Sequence, residues 1–136
     1  MKDLHNNVSP VQSIAPDAYT ADVQGAAADL QHYESADIEI NVGTWTDGTH
    51  TFEVQHRDDP ADSWEAVPDG DLQGTEPVVE DANGDEQVYQ VGYLGGLRYV
   101  RVVATVAGAT SGANYGATVV RGHPRFMGNT LMDADD

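Results

Sequence analysis

The side chains that could carry catalysis or bind a metal ion are scattered through this 136-residue chain. It has no cysteine, which excludes a disulfide scaffold, a thiolate zinc site, an iron–sulfur cluster and a cysteine nucleophile. Its five histidines lack the close spacing expected of zinc ligands. They are His5, His32, His50, His56 and His123. On one strand His50 and His56 would lie about 20 Å apart, too far to share a metal ion. We therefore expect structural or surface roles for the histidines.

Motifs for nucleophilic catalysis and phosphate binding are also missing. The segment Gly108-Ala109-Thr110-Ser111-Gly112 places its serine one position late for a nucleophile elbow, and no glycine-rich loop precedes a helix. Nothing in the pattern selects two glycosidase carboxylates from the 23 acidic residues. We expect that the protein is not an enzyme and has no cofactor.

Acidic residues cluster in three turn-like segments, where their oxygens could ligate a hard cation. The clusters are Asp58/Asp59/Asp62, Asp69/Asp71 and Asp81/Asn83/Asp85. The last segment fails the EF-hand test, because its glycine falls at the fourth position and its twelfth residue is Gly92. We interpret the clusters as solvated turn carboxylates and predict no specific metal site, although Mg²⁺, Ca²⁺ or Na⁺ could associate structurally or adventitiously in high salt.

The overall charge is strongly negative, with 23 acidic against 6 basic residues and a net charge of −17. A nucleic-acid partner is not expected, since the phosphate backbone requires a basic surface. No apolar stretch reaches the eighteen or so residues of a membrane span, so no membrane partner is expected either. Molar salt shortens the Debye length to about 3 Å and would screen the self-repulsion, so the composition indicates a halophilic protein.

The basic residues are segregated from the acidic ones. Residues 97–132 contain no Asp or Glu but four arginines, so this region carries +4 and the remainder −21. A low-acid, arginine-bearing surface suits contact with another protein. The predicted interface residues are Arg98, Arg101, Arg121, His123, Arg125 and Phe126. Burial of two central strands would also remove carboxylates, and this alternative stays open.

Period-two alternation of apolar residues over about residues 36–121 predicts an all-β protein with eight or nine short strands. The clearest strands are Asp37–Val42, His50–Arg57, Gln87–Tyr93, Leu97–Val106 and Tyr115–Arg121. A further short strand is predicted at Ser63–Val67, and weaker candidates are Tyr19–Val23 and Asp29–Tyr33. The dipeptides Asp47-Gly48 and Gly95-Gly96 each predict a β-hairpin between flanking strands.

Regular strand and turn spacing favours a single antiparallel β-sandwich or jelly-roll-like domain with extended terminal arms. Both chain ends lack the alternation. We therefore predict an N-terminal arm over residues 1–16, a β-sandwich domain over 17–122 and a C-terminal tail over 123–136, with the ends ordering against a partner.

Several segments resemble a family of small proteins encoded near the head genes of tailed bacteriophages and of tailed viruses of haloarchaea. The resemblance covers roughly residues 18–125. Its most specific parts are TDGTHTF, YLGGLRYVRV and VVRGHPR. It implies a virion structural protein that decorates or cements the capsid, and it brings no catalytic residues. The acidity of this chain points to a haloarchaeal host.

The resulting expectation is a capsid decoration or cement protein on the virion surface, assembled in the host cytoplasm. Its partners would be the major capsid protein and further copies of itself, with a trimer favoured over a pentamer. Many copies would convert a modest interface into a durable lattice. The alternative is a turret or fibre module that binds host carbohydrate through Trp45 or Trp64, although a core-plugging role for both rings is favoured.

Overall fold

The computed structural model describes residues 3–124, which form a sandwich of two antiparallel β-sheets. The strands are β1 (Val8–Tyr19), β2 (Val23–Gln24), β3 (Ala28–Asp29), β4 (Tyr33–Trp45), β5 (Thr49–Arg57), β6 (Glu65–Ala66), β7 (Leu72–Gln73), β8 (Val78–Val79), β9 (Gln87–Tyr93), β10 (Tyr99–Ala107) and β11 (Ala113–Pro124). Short 3₁₀ turns span His5–Asn7 and Asp69–Asp71. No helix among residues 3–124 has the length and hydropathy of a membrane span. The predicted all-β sandwich is confirmed.

Sheet A has the order β1-β11-β4-β9-β7, and sheet B has the order β2-β10-β5-β6, with β3 also paired to β10 and β8 to β5. The long strands alternate as their sequences predict, because one face of each packs on the other sheet. In β4 the buried residues include Ile38, Ile40 and Val42, and in β10 they include Val100 and Val102. The two inner faces form one apolar core.

The two predicted hairpins are wrong, although their strands exist. Strand β4 belongs to sheet A and pairs with β9 and β11, whereas β5 belongs to sheet B. Likewise β9 lies in sheet A and β10 in sheet B. Each turn therefore carries the chain from one sheet to the other, and the apolar faces of the two strands meet in the core from opposite sides.

The turn after β4 is held by Asp47. Its carboxylate accepts backbone N–H groups of Thr110, Ser111 and Gly112, at 2.7 to 3.3 Å. These bonds, that of Gly112 above all, hold the pKa of Asp47 below its ordinary value. Gly48 adopts a φ of 89°, the left-handed conformation that the Asp-Gly pair favours. The turn is thereby fixed to the loop between β10 and β11.

The predicted N-terminal arm is also corrected. Residues 8–16 lie in β1, which pairs with β11 from Val8 to Tyr19, so the predicted boundary at residue 17 falls inside a strand. Ser13 then joins the two sheets: its hydroxyl donates to Ala26 O and accepts from Val102 N. At the other end, β11 ends at Pro124, and the rest of the predicted tail lies outside the described residues.

The weaker strand predictions are shifted in the structure. Instead of Tyr19–Val23 and Asp29–Tyr33, the strands are Val23–Gln24 and Ala28–Asp29, each only two residues long. The predicted strand at Ser63–Val67 is shortened to Glu65–Ala66. These short strands pair at the edges of sheet B, where few backbone bonds are available to define them.

Candidate protein-binding surface

Arg57, Trp64 and Arg101 meet on the outer face of sheet B and are called here the Arg–Trp–Arg cluster. Pairing of β5 with β10 sets Gln55 beside Arg101, and pairing of β5 with β6 brings Trp64, just before β6, next to Arg57. The guanidinium carbon of Arg57 lies 4.3 Å from the centroid of the Trp64 ring, and that of Arg101 lies 4.4 Å from it. Two cations therefore share one indole.

The cluster is short of hydrogen-bond acceptors. Arg101 donates through Nε and Nη2 to one oxygen of Gln55, at 2.9 and 2.8 Å. Arg57 donates from Nη1 to the carbonyl of Asp62, while its buried Nε has no partner within residues 3–124. Burial, followed by the nearby charge of Arg57, lowers the pKa of Arg101. The site is thus cationic, partly desolvated and incompletely satisfied.

Arg98 and Arg121 meet at a different place, the short strand β3. Arg98 makes a bidentate ion pair with the Asp29 carboxylate, at 2.8 and 2.9 Å. Arg121 donates to the Asp29 carbonyl and to Ser9, and its guanidinium carbon lies 4.6 Å from the Tyr33 ring centroid. These two arginines join sheet A to sheet B within the molecule. Arg98 and Arg121, which are predicted interface residues, are therefore engaged in contacts within the molecule.

Arg98 precedes β10, and Arg101 lies on the partly exposed face of β10, between the buried residues Val100 and Val102. His123 hydrogen bonds through Nδ1 to the Ser35 hydroxyl at 2.6 Å, on sheet A. Arg125 and Phe126 lie outside the described residues. The described residues of the predicted interface are therefore divided among the outer face of sheet B, the surroundings of β3 and the region of Ser35 on sheet A.

The two tryptophans have different surroundings. Trp45 packs against the core and donates from Nε1 to Gly48 O at 2.8 Å, so it has the structural role that was favoured. Trp64 is half-buried beneath two guanidinium groups and does not belong to the core cluster. The core-plug interpretation of Trp64 is wrong, and a sugar stacking on its ring would have to displace an arginine.

The buried histidines are satisfied by tyrosines. His50, fully buried, makes hydrogen bonds from Nε2 to the carbonyl of Asp47 and from Nδ1 to the hydroxyl of Tyr115, both at 3.0 Å. Because a carbonyl can only accept, Nε2 carries the proton and Nδ1 accepts from Tyr115 in the neutral ring. His56 contacts the Tyr93 hydroxyl in the same way, at 2.9 Å. Both histidines are structural.

The acidic clusters lie in turns, where Asp59 and Asp81 accept backbone N–H groups two residues ahead. Within residues 3–124, no three acidic or histidine side chains are placed to hold one metal ion.

Sequence reasoning missed Arg57 and the role of Trp64 as a shared cation platform. Arg57 lies in the acidic part of the chain, outside the segregated region on which the interface prediction rested. The signal that could have found it is strand parity: Arg57 and Gln55 lie on the face of β5 opposite to Phe52 and Val54. Combined with the outward parity of Arg101, that pattern places two arginines on one face.

Comparisons with known proteins give no family model and no curated protein that matches the chain. Among solved structures, the chain is similar to the SPBc2 prophage-derived protein YomS, with 16% identity, a TM-score of 0.48, and coverage of 84% of this chain and 93% of that one. It is also similar to PirA, with 19% identity, a TM-score of 0.33, and coverage of 85% and 82%. At these identities the likeness does not extend to function.

Proposed function

We propose that this chain is a virion structural protein of the capsid-decoration type, which binds the major capsid protein and stabilises the shell by repeated protein–protein contacts. The observation that carries the proposal is the Arg–Trp–Arg cluster. Arginine and tryptophan are the residue types most enriched among the residues that dominate binding energy at protein interfaces. Here they occupy one sheet face of a chain whose net charge is −17.

The rest of the sandwich is compatible with a protein that is bound to the surface of a capsid. Strands β2, β3, β6, β7 and β8, each two residues long, lie along or next to the edges of the sheets, and the one long edge strand within residues 3–124, β1, is interrupted by register shifts; both features limit uncontrolled strand addition. Multivalent attachment needs only a modest affinity per copy, because neighbouring copies raise the effective concentration of each contact. An outer sheet face with a few strong contacts supplies that kind of interface.

The carbohydrate-binding alternative is less well supported by the same residues. Trp45 is held by Gly48 and the core, and Trp64 is covered by Arg57 and Arg101. Sugar platforms need an exposed aromatic face, so neither ring is prepared for that role.

Quantitative gel analysis of purified particles of the virus that encodes this chain tests the proposal. We expect a copy number comparable with that of the major capsid protein, since decoration follows the shell lattice. A chain that is absent from particles, or present in only the few copies of a tail or vertex component, would contradict the proposal.

A further inference from the structure

We propose that the Arg–Trp–Arg cluster is a binding site for an extended acidic segment of a partner protein, one that carries carboxylates at alternate positions. This inference rests on the proposed function, because it names the chemistry by which the chain would hold its partner.

The unused donors of the cluster point to an anion. A guanidinium group has five N–H donors. Arg57 uses one of them and Arg101 uses two, both on a single amide oxygen. Neither arginine has a carboxylate within ion-pair distance among residues 3–124, whereas Arg98 is fully paired with Asp29. An incoming carboxylate would satisfy donors that are already partly removed from water, which makes the contact charge-assisted and bidentate.

Stacking on the Trp64 ring orders both arginine side chains before a partner binds. Arginine side chains lose much rotamer freedom when they bind, and stacking on an aromatic ring fixes their planes in advance. Arg101 is further held by Gln55. Part of the ordering cost of binding is therefore met in the free protein, which raises affinity without additional contacts.

The closeness of the two guanidinium groups is compatible with an extended segment. Residues i and i+2 of a β-strand lie about 6.6 Å apart on one face. Both guanidinium carbons lie within 4.4 Å of the same ring centroid, so their separation cannot exceed twice that distance. Two carboxylates at alternate positions fit within this limit. A nucleic-acid backbone is a poorer match, because its charge would extend beyond the two arginines over a surface of −17 net charge.

Calorimetric titration of the full chain with a synthetic peptide bearing aspartate at alternate positions tests the site. The matched control peptide carries asparagine at the same positions. We expect the aspartate peptide to bind the unmodified chain, and to bind Arg57→Gln or Arg101→Gln about tenfold more weakly, as for loss of a charged hydrogen bond. Arg121→Gln is the matched protein control, because that arginine lies on sheet A. This variant should bind the aspartate peptide with unchanged affinity.

Arg101→Lys separates geometry from charge, because lysine keeps the charge but lacks the planar fork. An intermediate affinity for this variant supports the site. Equal affinity of the aspartate and asparagine peptides, or unchanged affinity in the folded Arg57→Gln/Arg101→Gln double variant, would overturn it. Thermal melts of each variant identify any loss of fold.

Particle incorporation distinguishes failure of this inference from failure of the proposed function. If the double variant decorates particles as well as the unmodified chain, the acidic-segment site is wrong while the decoration role stands. If the unmodified chain itself is absent from particles, the proposed function is wrong. Loss of decoration by the folded double variant supports both.

Discussion

The four described arginines differ in how fully their N–H donors are used within residues 3–124. Arg98 and Arg121 each make three hydrogen bonds, whereas Arg57 makes one and Arg101 donates twice to a single oxygen. Arg98 faces a carboxylate, and Arg121 is held mainly by oxygens that carry no net charge. Arg57 and Arg101 are held by an indole and by neutral oxygens. An indole attracts a cation without cancelling its charge, so this pair keeps its attraction for an external anion.

The Arg98–Asp29 pair predicts a defined acid response. Hydrogen bonds from Arg98 hold the pKa of Asp29 below its ordinary value of 3.8, outweighing the effect of burial. Because the folded-state pKa is depressed, the stabilisation is present above the unfolded-state pKa and is lost as pH falls through the lowered value. In an NMR titration of the Asp29 carboxyl carbon, Arg98→Gln should move the midpoint up toward the ordinary value.

Arg121→Gln is the control for this titration, since Arg121 bonds the main-chain oxygen of Asp29 and adds only a minor effect on the carboxyl. An Asp29 midpoint that stays in place in Arg98→Gln would show that another group lowers the pKa.

The candidate site could be predicted only in part at the residue scale. Strand parity sets Arg101 between the apolar residues Val100 and Val102 and so places it on the outer face, where the structure has it. The cluster as a whole depends on Trp64 lying beside Arg57, which requires the pairing of β5 with β6. With only two residues in β6, no local alternation specifies that pairing.

At the scale of elements, alternation identifies the long strands but does not specify their partners. The dipeptide Asp47-Gly48 fixes a tight turn because glycine accepts a positive φ, and this local requirement is met. The same turn is compatible both with a hairpin within one sheet and with a connection between the two sheets. The passage is selected by distant residues, namely the loop at Thr110–Gly112 that binds the Asp47 carboxylate.

Strand β1 was missed for a related reason. Pro10 and Pro16 suggest an irregular arm, and register shifts between Gln12 and Asp17 interrupt the alternation. Prolines are tolerated in this strand because it lies at the edge of sheet A, where one side needs no ladder bonds. Bulged edge strands therefore show little of the apolar alternation that identifies a strand in a sequence.

The turn at Gly48 gives a prediction for stability. In Gly48→Val, a β-branched residue at φ 89° is strained, and a Cβ there would lie 2.6 Å from the Cβ of Ala109. We expect a loss of about 3 kcal/mol in the free energy of unfolding, measured by denaturant titration in high salt. Gly96→Val is the control, because a Cβ at Gly96 meets nothing within 4 Å. Equal effects of the two substitutions would contradict the strained turn.

For the whole molecule, the charge of −17 predicts a strong dependence of stability on salt. As salt falls from molar to 0.1 M, the Debye length grows from about 3 Å to about 10 Å, and repulsion among surface carboxylates increases. We therefore expect Tm, followed by circular dichroism, to fall steadily over this range of KCl. A sucrose series at fixed salt controls for general effects of cosolvent. A constant Tm in KCl would argue against adaptation to high salt.

The pairing of β1 with β11 has a consequence for how the protein is made. Strand β1, which leaves the ribosome before the other strands described here, must wait for the strand that begins at Ala113 before it gains its neighbour in the sheet. Strand β4 likewise depends on β11 for one of its two sides. Such long-range pairing slows folding, because loop-closure entropy is lost before the contacts form. Sheet A can therefore be completed only after β11 has been synthesised, and until then β1 and β4 lack the neighbour that lies between them.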